Sequence, residues 1–161
     1  CMSEQFTFFY RTAHPFSQWY SSEYQIDGIT FYTAEQYMMY GKAMLFGDEE
    51  IAQKILQTTD PREQKALGRQ VRNFDPVVWE REAKNIVYKA NYAKFTQNEN
   101  LKKFLLKTEG TTLVEASPTD VIWGIGMDES HPDRFDKSKW RGTNWLGEVL
   151  TQLREDLLAT E

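Results

Sequence analysis

Glu35 and Lys42 lie in the segment 33–46, and their types and spacing suggest chemistry more than any other pair in the chain. Outside its first residues this stretch is apolar nearly all round, with Tyr37, Met38, Met39, Tyr40, Ala43, Met44, Leu45 and Phe46. A helix of that composition belongs inside a protein. Its two charges would be drawn inward with it, which is costly unless a buried charge is paired or used. Lys42 follows Glu35 by seven residues, or two helical turns, so both project from one side. The axial gap is roughly 10 Å, too long for a tight ion pair, and a lysine leaning toward the helix N-terminus reaches back across it. Such a gap can admit a reacting group between a proton-moving carboxylate and an amine. An equal alternative is that each charge meets a structural partner elsewhere, or that Lys42 snorkels to the surface.

The other candidates stand alone. Trp123 is a possible stacking surface followed by Gly124 and Gly126, which let backbone approach a phosphate or ribose; a core tryptophan beside two turn glycines is the rival. Asp120 offers a second carboxylate near it. Arg69 either pairs with a phosphate or sits in solvent, and Asn144 either binds ligand or caps the last helix. Glu115, between apolar neighbours, is a second buried acid or a structural partner for a cation. His14 and His131 lack a second ligand at metal-like spacing, so neither metal nor cofactor is expected. Cys1 is the single cysteine; it precedes Met2, which reads as the natural start, and is taken as left over from expression.

A length of 161 residues suits one compact domain, and 40% hydrophobic residues argue against disorder. Five Trp, eight Tyr and ten Phe exceed what a core of this size needs, and nucleotide sites use such flat surface. A net charge of −5 disfavours a grip on long phosphate backbones, and favours a small nucleotide or one modified nucleotide held locally. No signal peptide or bilayer-length apolar run is visible, so an intracellular, cytoplasmic protein with possible nuclear access and no membrane partner is expected.

Phe6–Tyr10 has strand propensity, Asp27-Gly28 signals a hairpin, and the residues from His14 to Trp19 form a loop. Thr33 and Gln36 suggest a capping box for a helix closed by Gly47, and Asp48 caps a second through about Gln57. Asp60-Pro61 and Asp75-Pro76 each open a helix, the latter running to about Phe95 with Val78, Ile86, Val87 and Tyr92 among its apolar positions. A short helix follows from Glu99, then a strand over Thr112–Ala116, then a polar stretch from Asp120 to Thr143 that is a binding loop or mere decoration. An amphipathic helix closes the chain, with Leu146, Val149, Leu150, Leu153 and Leu157 on one side. The class is α+β: a single, mostly helical domain over 1–161, core about 8–158, with a small N-terminal β element and short additional strands.

Phe9-Tyr10, Pro15-Phe16-Ser17, the run from Thr33 to Met38, Lys42-Ala43, Leu67-Gly68-Arg69, Ala93-Lys94-Phe95, Leu113-Val114-Glu115, the run from Asp120 to Gly126, and Asn144 to Gly147 together resemble NADAR domains. The likeness is collinear from about Phe8 to Leu157. It implies an N-glycosidase acting on ribosyl–amine linkages, either ADP-ribose on the guanine amino group or phosphoribosylated aminopyrimidine intermediates of riboflavin synthesis. It also implies that Glu35, Lys42 and Asp120 are catalytic. Trp123, Gly124, Gly126, Asn144, Arg69, Phe16, Ser17 and Gln18 would then bind substrate. Gln18 stands where Asn is common in the family and Gln36 where His is common, so no imidazole stands beside Glu35.

Two routes fit these residues. In one, Glu35 or Asp120 orients water as an oxocarbenium-like ribose leaves its amine. In the other, which we favour, neutral Lys42 attacks the anomeric carbon and forms a Schiff base while Glu35 moves protons. The favoured substrate is ADP-ribosyl-guanosine, free or in DNA or RNA contacted locally, because segment 128–141 and the aromatic supply could accommodate a larger ligand. The rivals are the riboflavin-intermediate hydrolase, a module that binds ADP-ribose or a related nucleotide without cleaving it, and a non-enzymatic scaffold.

Overall fold

A computed structural model describes residues 3–160, so the readings of Cys1 and Met2 lie outside the described residues. These contain six α-helices and four strands, the expected α+β class with helix predominating. They form two compact units, one made of the chain up to Ser17 together with the chain from Glu99 onward, the other of Gln18–Asn98.

In the first unit, β1 (Gln5–Phe9) pairs in parallel with β4 (Thr111–Glu115), Gln5 opposite Thr111 and Phe9 opposite Glu115. Parallel strands need a long crossover, and here it contains the whole of the second unit. The short helix α5 (Glu99–Leu106) precedes β4, and α6 (Trp145–Ala159) packs on that strand. All five apolar positions expected on one side of α6 are buried. The segment expected as a loose loop is built from side-chain-closed turns. Asp136 caps a turn of 3-10 helix at Lys137–Lys139, Trp140 Nε1 donates to Arg134 O at 2.8 Å, and Phe135 and Trp140 pack against Phe6 of β1.

In the second unit, β2 (Tyr24–Ile26) and β3 (Ile29–Phe31) form the predicted hairpin. Asp27 and Gly28 both take positive φ, 52° and 80°, as a two-residue turn matching strand twist demands. Helix α1 (Ala34–Leu45) packs on α2 (Glu49–Leu56), α3 (Pro61–Gly68) and α4 (Pro76–Thr96). Asp48, Asp60 and Asp75 each accept backbone N–H groups at the helix starts where the sequence placed them. Asp48 also takes Arg72 Nη2 at 2.8 Å and Nε at 3.2 Å, fixing the α3–α4 connection to α2; those bonds hold its carboxyl well below the usual carboxylate range. A Cβ on Gly68 would meet Met39 Sδ at 2.0 Å, so α3 and α1 are in close contact there.

Three expectations need correction. Helix α1 is not buried all round: Met38, Met39 and Ala43 are enclosed, but Met44 and Leu45 are exposed in its last turn. Position on the helical face decides burial, and isolated exposed apolar side chains are tolerated. Only half of the capping box forms, since Thr33 Oγ1 accepts from Gln36 N at 2.9 Å but Gln36 Oε1 accepts instead from Tyr32 N at 2.7 Å. Gln36 Nε2 donates to Ile55 O and Thr58 O, tying α1 to the end of α2. Tyr92, finally, lies on the exposed side of α4, whose buried stripe is Ala83, Val87, Ala90, Asn91 and Lys94.

Candidate active site

The start of α1 is held from several directions. Thr33 Oγ1 donates to Gln64 Oε1 at 2.6 Å, the Tyr24 hydroxyl donates to Thr33 O at 2.7 Å, and Glu35 N donates to Gln18 O at 2.9 Å. Glu35 therefore sits in the first turn of a pinned helix, only 6% exposed, near the positive end of the helix dipole. Gln18 is fixed in turn: its Oε1 accepts from Asn91 Nδ2 at 2.9 Å, and the same Nδ2 reaches Val87 O. Asn91 is fully buried, and its Oδ1 has no hydrogen-bond partner.

Lys42 lies in the last turn of α1 and is half-buried. Its Nζ is 4.7 Å from the ring centre of Phe74 and 5.8 Å from that of Trp79. Burial lowers its pKa, Arg69 pushes the same way, and Glu35 opposes both. The two charges of α1 therefore act on each other electrostatically. The Lys42 ammonium lies over aromatic carbon. Arg69, just beyond α3, is exposed and close enough for its charge to act on Lys42.

Sequence reasoning gave no individual role to Phe74, Trp79, Asn91 or Lys94. Lys94 is fully enclosed, with Nζ 5.4 Å from the Tyr20 ring centre and 5.0 Å from that of Phe95, and burial pushes its pKa down to about 7. The available signal was periodicity, because Asn91 and Lys94 fall on the helical stripe begun by Ala83 and Val87.

The remaining candidates, Gln18 apart, belong to the first unit. Asp120 Oδ1 accepts from Ile122 N at 2.9 Å and Trp123 N at 2.8 Å, closing the turn that presents Trp123. Trp123 is half-buried, edge-on to Trp145 at 5.5 Å. The other candidates of this unit have protein neighbours of their own. A Cβ on Gly124 would lie 2.9 Å from both Glu115 O and Glu115 Oε2, and one on Gly126 would lie 2.9 Å from Arg141 Cβ, so both glycines answer to protein neighbours. Glu115 thus sets its carboxylate against Gly124. Asn144 makes no side-chain cap for α6; at a left-handed φ of 55° its Oδ1 accepts from Glu115 N and its Nδ2 donates to Leu113 O, both at 3.0 Å. Phe16 has no exposed surface, its ring lying among Phe9, His14 and Phe104, and Ser17 beside it is buried.

Within the second unit the fold thus joins Glu35, Lys42, Arg69 and Gln18 to Asn91, Phe74 and Trp79. Among the described residues no group of three or more His, Cys, Asp or Glu side chains is placed to hold a metal ion, and no helix is long and apolar enough to cross a membrane.

Comparison with known proteins agrees with this architecture. The chain is 44% identical over 148 residues to N-glycosidase R617 of Acanthamoeba polyphaga mimivirus, covering 89% of this chain and 87% of that protein. It is 42% identical over 168 residues to Protein irg-1 of Caenorhabditis elegans, covering 94% of this chain and 79% of that one. The NMR structure of YbiA from E. coli superposes with a TM-score of 0.80 at 29% identity, over 99% of this chain and 89% of the other. The model of the NADAR domain matches residues 8–158, and the chain belongs to the NADAR family.

Proposed function

We propose that this N-glycosyl hydrolase cleaves the C–N bond between a ribosyl group and an amine, with ADP-ribose on the guanine amino group as its favoured substrate. The observation that carries the reading is on α1: an enclosed carboxylate, Glu35, coupled to an amine, Lys42, whose proton affinity burial and Arg69 reduce. That is the poise a nucleophilic lysine needs.

In the first step neutral Lys42 Nζ bonds the anomeric carbon, and the electron pair of the breaking C–N bond leaves with the amine, protonated by Glu35. Transfer of the new Nζ–H proton to the Glu35 carboxylate restores the nitrogen lone pair. That pair then opens the sugar ring as a protonated Schiff base, and the ring oxygen becomes a hydroxyl by taking a proton. Water adds to the same carbon, Lys42 departs, and the sum is one water consumed, one free amine and one ribosyl hydroxyl released. Arg69 is assigned to a substrate phosphate. Asp120, whose Oδ1 closes its own turn, is given no step. The net charge of −5 fits a modified nucleotide gripped locally more than a long polynucleotide.

The test is release of free amine from an ADP-ribosylated guanosine oligonucleotide and, separately, from a phosphoribosylaminopyrimidine. We expect turnover of the first, and borohydride added during turnover should fix the sugar covalently to Lys42. Lys42→Ala should lower kcat by at least about 100-fold, and loss of Glu35 should lower kcat more than it raises KM. Turnover of the pyrimidine alone would reassign the substrate to riboflavin intermediates. Turnover of neither would leave a module that binds a nucleotide without cleaving it.

A further inference from the structure

Phe74 is a large apolar side chain, yet it is 43% exposed, and its backbone setting fixes it there. Asn73 before it takes a left-handed φ of 60°, Asp75 after it caps α4 through Val77 N and Val78 N, and Phe46 meets its ring edge-on at 5.4 Å. Trp79, in the first turn of α4, donates its backbone N–H to Asp75 O at 2.9 Å. Two rings on a short rigid segment thus stand at 4.7 Å and 5.8 Å from one lysine nitrogen. The other charged groups acting on that nitrogen are Glu35 from α1 and Arg69 beyond α3.

We propose that Phe74 and Trp79 are an aromatic clamp that stabilises the cationic Schiff base formed at Lys42, and so position and favour the covalent intermediate of the reaction. This rests on Lys42 being the reacting group. The rings present negative π faces to a cation without supplying a second nucleophile or a proton acceptor, as another carboxylate would. When the neutral amine has bonded the anomeric carbon and the C–N bond to the leaving amine has broken, positive charge returns to Nζ and spreads onto carbon. The faces that hold the resting ammonium hold that charge as well. The clamp therefore lowers the barrier from the neutral amine and leaves the barrier from the ammonium nearly unchanged. Burial and the Arg69 charge act in the opposite sense on the resting ammonium, so the amine remains available.

The experiment replaces Phe74 with 4-fluoro-, 3,5-difluoro- and 3,4,5-trifluorophenylalanine, near-isosteric rings of falling π charge, with Phe74→Leu as the ring-free variant. The first readout needs no substrate: NMR of 13C-methylated lysines, with Lys42→Arg for assignment, follows the titration of Lys42. Its pKa should fall stepwise, by about half a pH unit across the series. The second is kcat for amine release, which should drop stepwise by about threefold above the Lys42 pKa, change little below it, and leave KM within about twofold. A Lys42 titration indifferent to fluorination overturns the clamp outright. A falling pKa with kcat unmoved at high pH overturns its part in the reaction. Wild-type protein that releases no amine from either substrate overturns the Lys42 chemistry itself, and that result is in hand before any Phe74 variant is made.

Discussion

Replacing Lys94 by methionine tests how strongly the core of the second unit resists a charge. The side chain is fully enclosed, and burial pushes its pKa from the ordinary 10.5 to about 7. Between those two values the unfolded chain holds a proton that the folded chain has released, so stability rises with pH across that window. Below about pH 7 both forms are protonated and the folded protein bears the net cost of keeping the ammonium buried. Above 10.5 neither is protonated, and the cost is gone. At about 1.36 kcal/mol per pH unit the interval amounts to about 5 kcal/mol. The rings of Tyr20 and Phe95, at 5.4 Å and 5.0 Å, return about 1 kcal/mol of cation–π attraction to the ammonium, which narrows the expectation to about 3–5 kcal/mol. Lys94→Met keeps most of the length and removes the charge. Urea unfolding of both proteins from pH 6 to pH 10.5 gives the stability difference, in which the tyrosines and the other lysines cancel. The stability of the methionine variant relative to the parent should be greatest at pH 6 and should fall by about 3–5 kcal/mol by pH 10.5. A difference constant to within about 1 kcal/mol across the range would refute the assignment of the cost to this ammonium.

Two structural predictions accompany it. Gln36→Leu removes the acceptor for Tyr32 N and the donor to Ile55 O, and should cost about 2–4 kcal/mol, read as a fall in Tm of about 5–15 °C. Gly147→Ala places a Cβ 2.1 Å from Leu113 O and 2.4 Å from the Asn144 amide, and should cost more than about 3 kcal/mol in chemical denaturation; a variant as stable as the parent would show that α6 can withdraw from β4.

Local signals carried much of the fold. The Asp-Pro pairs at 60–61 and 75–76 open helices because the aspartate side chain and the proline ring each suit one position of a first turn. Asp27-Gly28 turns the hairpin because both residues tolerate positive φ. What stayed hidden depends on partners distant in sequence. Asn144 has the type of an N-cap, but a cap residue ordinarily adopts extended φ and ψ, and here the left-handed backbone sends the amide to Leu113 and Glu115. Gly124 looked like room for a ligand because no sequence rule reveals that Glu115 already occupies the space. Lys94 lies inward on the Ala83–Val87–Asn91 stripe, a burial that its charge conceals in the sequence.

The charges of α1 raise the question of how much function they require. An acid in the first turn and a base in the last are what the helix dipole favours on any surface helix, each by about 0.3–1 kcal/mol. That preference accounts for the signs of Glu35 and Lys42 but not for their surroundings. A carboxylate satisfying a dipole has no need to be 6% exposed beneath a backbone anchored to Gln18, since withdrawal from water costs more than the dipole returns. A lysine satisfying a dipole has no need to lie over Phe74 with a lowered pKa, because the same terminus is reached equally well from water. The burial beyond what the dipole explains falls on the two side chains whose spacing first suggested a reaction.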